Sequence, residues 1–189
     1  GMSPYNLDAA RAAAGGDVFP FLYPPMTIYL FRPFAALPLD VAETIWFWFR
    51  VILLIPLIWI WRKYFVPEGK GWQLYLLVMA AFGGVVYLDL HAGNVTIVEQ
   101  MLLWTGFLCL LGGRPFWFCL LIVVASLIKL LPILFLGLLL LLPVKHRWRY
   151  LLGSLGTFML VQAADFAIHP DWYREYVSSA LNWYERGAE

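Results

Sequence analysis

Apolar residues in this chain form long runs that are separated by short polar turns. The longest run extends from Pro115 to Pro143, and its only charged residue is Lys129. A run of this length and composition is typical of membrane segments and not of a soluble core. As one helix it would be about 43 Å long, beyond a hydrocarbon core of about 30 Å, and Pro132 interrupts it. We therefore predict a hairpin of two short helices that breaks near residues 129–132.

The remaining apolar runs have the length of membrane spans. Asp40 is a suitable N-cap for the first of them. Together with the hairpin, these runs predict an all-α, polytopic membrane helical bundle of about six spans. The runs extend from Val41 to Trp61, from Trp72 to Leu88, from Val95 to Leu111 and from Tyr150 to Ala164.

Two segments flank the predicted bundle, which covers residues 39–165. Residues 1–38 form an outer loop with a short helix at 7–14 and a re-entrant or interfacial helix at 26–37, which is too short to span. Residues 166–189 are acidic and aromatic, and we predict an amphipathic helix along the outer face.

Charge is distributed unevenly between the loops. The positive-inside bias places the basic loops in the cytoplasm, which requires an even number of crossings within the hairpin, and it makes the chain a multi-pass protein of the cell membrane. The basic loops contain Arg62, Lys63, Lys70, Arg114, Lys145, Arg147 and Arg149, and the outer segments contain Asp8, Asp17, Asp89, Asp165, Asp171, Glu175, Glu185 and Glu189.

The composition excludes several classes of protein. The chain is 62% hydrophobic and 13% charged, whereas a soluble domain carries about 25% charge. The net charge of +1 is uninformative about nucleic acid, but no basic stripe or RNA-binding motif occurs, and we expect no nucleic-acid partner. Its histidines lie far apart, Cys109 and Cys119 lie in apolar runs, and no phosphate-binding or dinucleotide motif occurs. We predict neither a metal nor a cofactor.

Lys129 is the first candidate for chemistry. A lysine at the centre of a membrane segment costs about 2.5–3.5 kcal/mol, so an anionic partner is expected. We place Lys129 at the outer end of the hairpin, where it would contact a lipid phosphate. The alternative is that its amine only reaches the aqueous interface. Pro132 favours a site because it opens the helix and frees backbone groups.

Further candidates lie on the predicted outer turn after the second span. Asp89 and His91 have side chains that serve as a base or as hydrogen-bonding partners of a sugar. Asn94 suits the same purpose, although it also suits the cap of the next helix.

Arg32 and Arg50 lie in apolar surroundings, which suits an anion contact. The alternative for Arg50 is a structural ion pair with Glu43, on the same helix face, or with Glu99 on another span.

A series of short stretches, taken in order, resembles glycosyltransferase family 87, the polyprenyl-phosphate-mannose-dependent mannosyltransferases of the GT-C superfamily. The resemblance extends over nearly the whole chain. The stretches are Pro4-Tyr5-Asn6, Tyr23-Pro24-Pro25, Arg32-Pro33, Leu37-Pro38, Ala42 with Ile45-Trp46, Gly93-Asn94-Val95 and Ile128-Lys129-Leu130-Leu131-Pro132.

The resemblance implies a GT-C-like fold and an inverting transfer of a sugar, mannose in this family, on the outer face. The implied partners are a polyprenyl-phosphate sugar donor, a lipid or glycan acceptor and membrane lipids. A carboxylate would deprotonate the acceptor hydroxyl, and a cation would stabilise the leaving phosphate. The substrate-binding candidates are Lys129, His91, Asn94, Tyr23, Arg32 and Arg50.

The chain departs from the family pattern at both ends. The catalytic Asp of the family belongs to an outer loop upstream of the part that corresponds to Pro4-Tyr5, and the family continues with further spans beyond Glu189. We therefore expect a central fragment that lacks its own general base. Asp89 and Asp8 are the local candidates for that role.

Two other functions are consistent with the residues. A polytopic transporter would use charges near the membrane centre, such as Glu99 and Arg50, along a substrate path. A non-catalytic membrane subunit would use its charges only for pairing or for reaching the interface.

Overall fold

The computed structural model describes Tyr5, Ala12, Phe21 and residues 23–66 and 71–186. Every regular element in these residues is helical, which confirms the predicted all-α fold class. The predicted helix at residues 7–14 and the candidate Asp8 lie outside the described residues, apart from the helical Ala12.

Eight α-helices and several tighter or wider turns make up the described chain. The α-helices are α1 (Ile28–Phe31), α2 (Leu39–Ile60), α3 (Gly71–His91), α4 (Thr96–Leu111), α5 (Pro115–Ile128), α6 (Leu138–Leu141), α7 (Arg147–Ile168) and α8 (Pro170–Arg186). Short 3₁₀ helices occupy Pro25–Thr27, Arg32–Ala36 and Leu131–Gly137. A π-helical turn at Trp61–Phe65 extends α2.

Two helices in the described ranges are long and apolar enough to cross a membrane. They are Leu39–Phe65, which joins α2 to its π turn, and Arg147–Ile168. A third crossing results if Gly83–His91 and Thr96–Leu111, which meet at a bend of 118°, form one broken span. The predicted number of about six spans is not confirmed, and the division into an outer loop, a bundle and a tail stays a prediction.

The start of α2 differs slightly from the prediction. Pro38 and not Asp40 occupies the N-cap position, and its carbonyl oxygen accepts the first helical hydrogen bond, from Ala42, at 2.9 Å. Asp40 instead lies in the first turn, where its negative charge is favoured by the helix dipole.

The run from residue 115 to residue 143 folds back on itself. Pro115 begins α5 at a position where its missing N–H costs nothing. Lys129 then adopts an extended conformation with φ −139° and ψ 136°, and the chain continues into the tight helix Leu131–Gly137. Leu142 and Pro143 line the same cavity as Pro115. The run therefore returns to the end at which it started, as expected of a hairpin.

The main core lies between the hairpin, α4 and α7. Helix α4 packs against α5 at Gly106, where a Cβ atom would lie 3.6 Å from the side chains of Phe118 and Ile122, an ordinary van der Waals distance. The buried side chains of this core are Leu103, Leu110, Phe118, Cys119, Ile122, Ala125, Leu136, Leu139 and Leu151.

A second, smaller apolar cluster lies at the other end of the hairpin and is built on Trp46, Val95 and Ile128. The predicted helix at residues 26–37 is a series of short helical turns that covers this cluster, with the ring of Phe31 5.0 Å from that of Trp46. The Thr27 hydroxyl, fully buried, donates to the carbonyl oxygen of Ile128 at 2.9 Å. This segment is therefore fixed against the break of the hairpin.

The predicted amphipathic tail is the helix α8, in which polar and apolar residues lie on opposite faces. Asp165, which is 5% exposed at the end of α7, connects α8 to the first segment. The hydroxyl of Tyr29 donates to its Oδ1 at 2.8 Å, and that of Tyr173 donates to its Oδ2 at 2.9 Å. Burial and the Asp165 carboxylate raise the pKa of both tyrosines, so both remain donors at neutral pH.

Replacing Asp165 with asparagine should loosen the docking of α8. Both tyrosines would lose a charged acceptor, so we expect a loss of about 1–2 kcal/mol. Hydrogen exchange of the amides at 171–181 should become several-fold faster. The matched control is Asp40→Asn, because Asp40 is an exposed carboxylate in the first turn of a different helix, α2. Equal exchange in both variants would show that Asp165 does not hold α8.

Candidate functional site

The turn at Ala92–Val95 connects α3 to α4 and organises the candidate site. Gly93 has a φ of +73°, a conformation that side-chain-bearing residues rarely adopt, which allows the chain to reverse sharply here. The indole nitrogen of Trp46 donates to the carbonyl oxygen of Gly93 at 2.9 Å. The turn is thereby fixed to α2.

Arg50 binds the same turn, and the end of α3 before it, through backbone carbonyl groups. It is 2% exposed, and its guanidinium donates to the carbonyl oxygens of Asp89 and Leu90, each at 2.9 Å, and of Asn94 at 3.5 Å. Carbonyl groups at the end of a helix have no partner within the helix and carry partial negative charge. Arg50 therefore closes the end of α3 through backbone groups, and neither Glu43 nor Glu99 pairs with it in the described structure.

Asp89 has one carboxylate oxygen, Oδ2, that is buried without a hydrogen-bond partner among the described residues. Its carboxylate lies close enough to Arg50 to interact electrostatically with the guanidinium. A buried carboxylate oxygen without a partner is uncommon, and this distinguishes Asp89 from the other carboxylates of the described residues.

Tyr23 connects the first segment to the turn. Its hydroxyl donates to Oδ1 of Asn94 at 2.7 Å, and its carbonyl oxygen accepts from the hydroxyl of Tyr5 at 2.9 Å. Burial raises the pKa of Tyr23, so the hydroxyl stays protonated and remains a donor.

Lys129 lies at the break of the hairpin and has partners within the protein. Its Nζ lies 3.0 Å from Oε2 of Glu99 and 3.0 Å from the hydroxyl oxygen of Thr96, and it lies 6.0 Å from the centre of the Tyr23 ring. We refer to Lys129, Glu99, Thr96, Tyr23 and Asn94 as the Lys129 cluster. The anionic partner that the sequence requires is thus Glu99.

Counting only partners among the described residues, the ammonium of Lys129 has capacity for one more acceptor. An ammonium has three N–H donors, and Glu99 and Thr96 accept two of them. The side chain of Lys129 is 30% exposed, whereas that of Glu99 is 10% exposed. An external anion can therefore approach the lysine from its open side, while the carboxylate stays covered.

His91 lies outside the Lys129 cluster. It is exposed at the end of α3 and stacks on Tyr87 with ring centres 5.9 Å apart. Together with Glu43, Trp46 and Arg50 it lines a groove of about 670 Å³, which we call the His91 groove. Ala92 and Gly93 of the turn line this groove, whereas Asn94 of the same turn belongs to the Lys129 cluster.

The structure thus brings together some of the predicted residues. Lys129, Tyr23 and Asn94 form one cluster, and Arg50 is joined to it through the carbonyl of Asn94. Arg32 is exposed and does not belong to this cluster. Its positive charge opposes the rise in the pKa of Tyr29.

Glu99 and Thr96 were not predicted as partners of Lys129. Their separation of three residues places them on one face of α4, which is a signal in the sequence. The sequence does not show that this face meets the break of the hairpin.

Among the described residues, no group of three His, Cys, Asp or Glu side chains is arranged to hold a metal ion. The Lys129 cluster itself contributes an ammonium, hydroxyl groups, a carboxylate and an amide.

Membrane-length apolar helices and a paired cation at a helix break define an integral membrane protein with a polar site at one end of its bundle. The model of glycosyltransferase family 87 matches residues 21–188, and the chain belongs to this family. It is thus a membrane glycosyltransferase chain. Comparisons with curated proteins and with solved structures gave no match.

Proposed function

We propose that this chain transfers mannose from a polyprenyl-phosphate donor to a lipid or glycan acceptor on the outer face of the cell membrane. The observation that carries the proposal is the position of Lys129. Its ammonium lies at a helix break, is held by Glu99 and Thr96, and keeps one donor and an open side.

The charge change in the reaction suits this cation. The acceptor oxygen bonds to the anomeric carbon of the sugar while the bond from that carbon to the phosphate oxygen breaks. The departing lipid phosphate gains negative charge at this step. A positioned N–H donor in a water-poor site stabilises such charge more strongly than water does, and the remaining N–H of Lys129 would serve as that donor.

Exposed apolar residues next to Lys129 suit the lipid part of the donor. Leu130 is 45% exposed, Leu131 is 74% exposed and Leu134 is 72% exposed, all directly after the lysine. A polyprenyl tail along this surface would place its phosphate at Lys129 without burying further charge.

The general base that we propose is Asp89. Its Oδ2 has no hydrogen-bond partner in the described structure, and a carboxylate can accept the proton of an acceptor hydroxyl. Because this oxygen is buried, the surrounding residues must move for the acceptor to reach it. The exposed His91 and the His91 groove provide hydrogen-bonding groups for the acceptor.

The charges on which the transporter alternative depends are engaged within the protein. Glu99 pairs with Lys129, and Arg50 binds backbone carbonyl groups. These contacts favour a fixed binding site over a moving substrate path.

Radiolabelled polyprenyl-phosphate-mannose, added to membranes that express the full gene, tests the donor directly. We expect label to appear in a membrane lipid or glycan, and we expect no such transfer in membranes without the gene. A donor with the same lipid but with glucose in place of mannose tests the specificity for the sugar. We expect less label to be transferred from this donor than from polyprenyl-phosphate-mannose. Label that enters the product from a nucleotide-linked sugar while lipid-linked donor is absent would contradict the proposal.

A further inference from the structure

A groove of about 520 Å³ lies between α5 and α7, away from the Lys129 cluster. We call it the α5–α7 groove. Leu120 and Val123 line it from α5, Gly153 and Thr157 line it from α7, and His146 and Arg149 lie at one end.

The walls of the α5–α7 groove suit a hydrocarbon chain. The hydroxyl of Thr157 donates to the carbonyl oxygen of Gly153 at 2.8 Å, so its polar hydrogen is already bonded within the helix. A Cβ atom at Gly153 would meet nothing within 4 Å, which shows that the space beside it is open. The hydroxyl groups of Ser154 and Tyr150 also line the groove, but most of its lining residues are apolar, which suits a hydrocarbon chain.

The end of the groove is strongly basic. Arg149 is exposed there, and His146 also lines a second cavity, of about 530 Å³, together with Lys145. Within the described structure no acidic residue lines either cavity. Among the described residues, a phosphate group at the end of the groove would therefore meet the cation Arg149 and the imidazole of His146 and no opposing carboxylate.

His146 is held at the mouth of both cavities by an unusual backbone conformation. Its φ is +56°, in the left-handed region that a non-glycine residue rarely adopts. Such strain is retained where the surrounding structure requires it, and it is more frequent at binding sites.

This basic end lies opposite the Lys129 cluster. Pro115, at the start of α5, shares a cavity with His146, whereas Lys129 follows the last residue of α5. The helix between them is about 21 Å long. The donor proposed above and a ligand at the basic end thus lie at opposite ends of α5.

We propose that the α5–α7 groove binds an anionic phospholipid, with an acyl chain between the two helices and the phosphate at Arg149 and His146. The sequence predicts this end to be cytoplasmic, and anionic lipids concentrate in the cytoplasmic leaflet. The basic loop alone would orient the protein in the membrane. The groove provides, in addition, a specific site, because it ends at the cation Arg149 and at the imidazole of His146.

Photo-cross-linking tests the site in the full chain. The protein is reconstituted in phosphatidylcholine vesicles that contain a small fraction of phosphatidylglycerol with a diazirine in its acyl chain. We expect labelled peptides from the groove walls at 120–123 and 153–157. Unlabelled phosphatidylglycerol should compete for labelling, and phosphatidylcholine should not.

Two variants test separately the part of the site that would bind the phosphate and the part that would bind the acyl chain. Arg149→Gln should reduce labelling about fivefold, as expected for roughly 1 kcal/mol per basic residue near the surface. Gly153→Leu should reduce labelling by filling the groove without changing any charge. The matched controls are Arg62→Gln, in another basic loop, and Gly156→Leu, since Gly156 also has nothing within 4 Å of a Cβ but does not line the groove.

The proposal is supported if both groove variants lose labelling while both controls and the helical circular dichroism keep wild-type values. It is overturned if phosphatidylcholine competes equally, because the groove would then hold any bulk lipid. It is also overturned if the controls lose as much labelling as the groove variants. Stronger competition by polyprenyl phosphate than by phosphatidylglycerol would assign the groove to the donor instead.

Discussion

Replacing Lys129 with alanine should abolish sugar transfer, lowering the initial rate at least about 100-fold, as removal of a single donor to a developing negative charge does in other enzymes. The variant loses the only ammonium of the Lys129 cluster, so the phosphate would leave without a positioned cation. The measurement is transfer of radiolabelled mannose from polyprenyl-phosphate-mannose in membranes that contain equal amounts of each variant.

The variant has a structural cost that must be separated from the catalytic one. Without Lys129, the carboxylate of Glu99, which is 10% exposed, would be left without its cation. Breaking a buried ion pair by removing one partner costs about 3–5 kcal/mol. The double variant Lys129→Ala with Glu99→Gln removes the unpaired charge and should recover most of the lost thermal stability.

The double variant distinguishes the two roles of Lys129. If the lysine binds the donor phosphate, the double variant regains stability and remains inactive. Recovery of transfer in the double variant would show that Lys129 only neutralises Glu99. The control for loss of a lysine is Lys63→Ala, because Lys63 follows α2 and lies over the rings of Trp59 and Tyr64. We expect its transfer rate to stay close to that of the unmodified chain.

The helices of this protein could largely be predicted from the sequence, because apolar runs and helix breakers determine where membrane helices form. Pro132 predicted the break beside Lys129, and the acidic, aromatic stretch after residue 165 predicted the helix α8. The number of crossings could not be determined in this way. It depends on whether short segments such as Leu131–Leu141 enter the membrane, and length and composition do not decide that.

The candidate site could be predicted only in part. Lys129 was identified from its charge alone, since a cation in an apolar run needs a partner wherever it lies. The partner itself, Glu99, lies thirty residues earlier on another helix, and the packing of α4 against α5 brings it there. The sequence offered Glu99 as a partner for Arg50, because local spacing does not reveal that backbone carbonyl groups compete for a guanidinium.

Replacing Arg50 with methionine should destabilise the protein and loosen the turn at 92–95. Methionine retains much of the volume but donates no hydrogen bonds to the carbonyl groups of Asp89, Leu90 and Asn94. A buried carbonyl group left unpaired costs about 1–3 kcal/mol, so we expect an overall loss of roughly 3 kcal/mol. Thermal unfolding in detergent measures the stability, and hydrogen exchange of the amides at 90–96 measures the turn.

A comparison of lysine with methionine at position 50 tests the geometry of this contact. Lysine restores the charge, but its single nitrogen does not span the carbonyl groups that a planar guanidinium reaches together. We therefore expect Arg50→Lys to recover only part of the stability and part of the slow exchange. Arg62→Met is the control for loss of an arginine, because Arg62 is exposed.

The same variants determine whether Arg50 positions the turn or binds substrate. If it positions the turn, transfer should fall together with amide protection across the methionine and lysine variants, because Asn94 and Tyr23 depend on the turn for their places in the Lys129 cluster. A methionine variant with unchanged stability and exchange but without transfer would contradict this role. The guanidinium would then act on the substrate, through the side that faces the His91 groove.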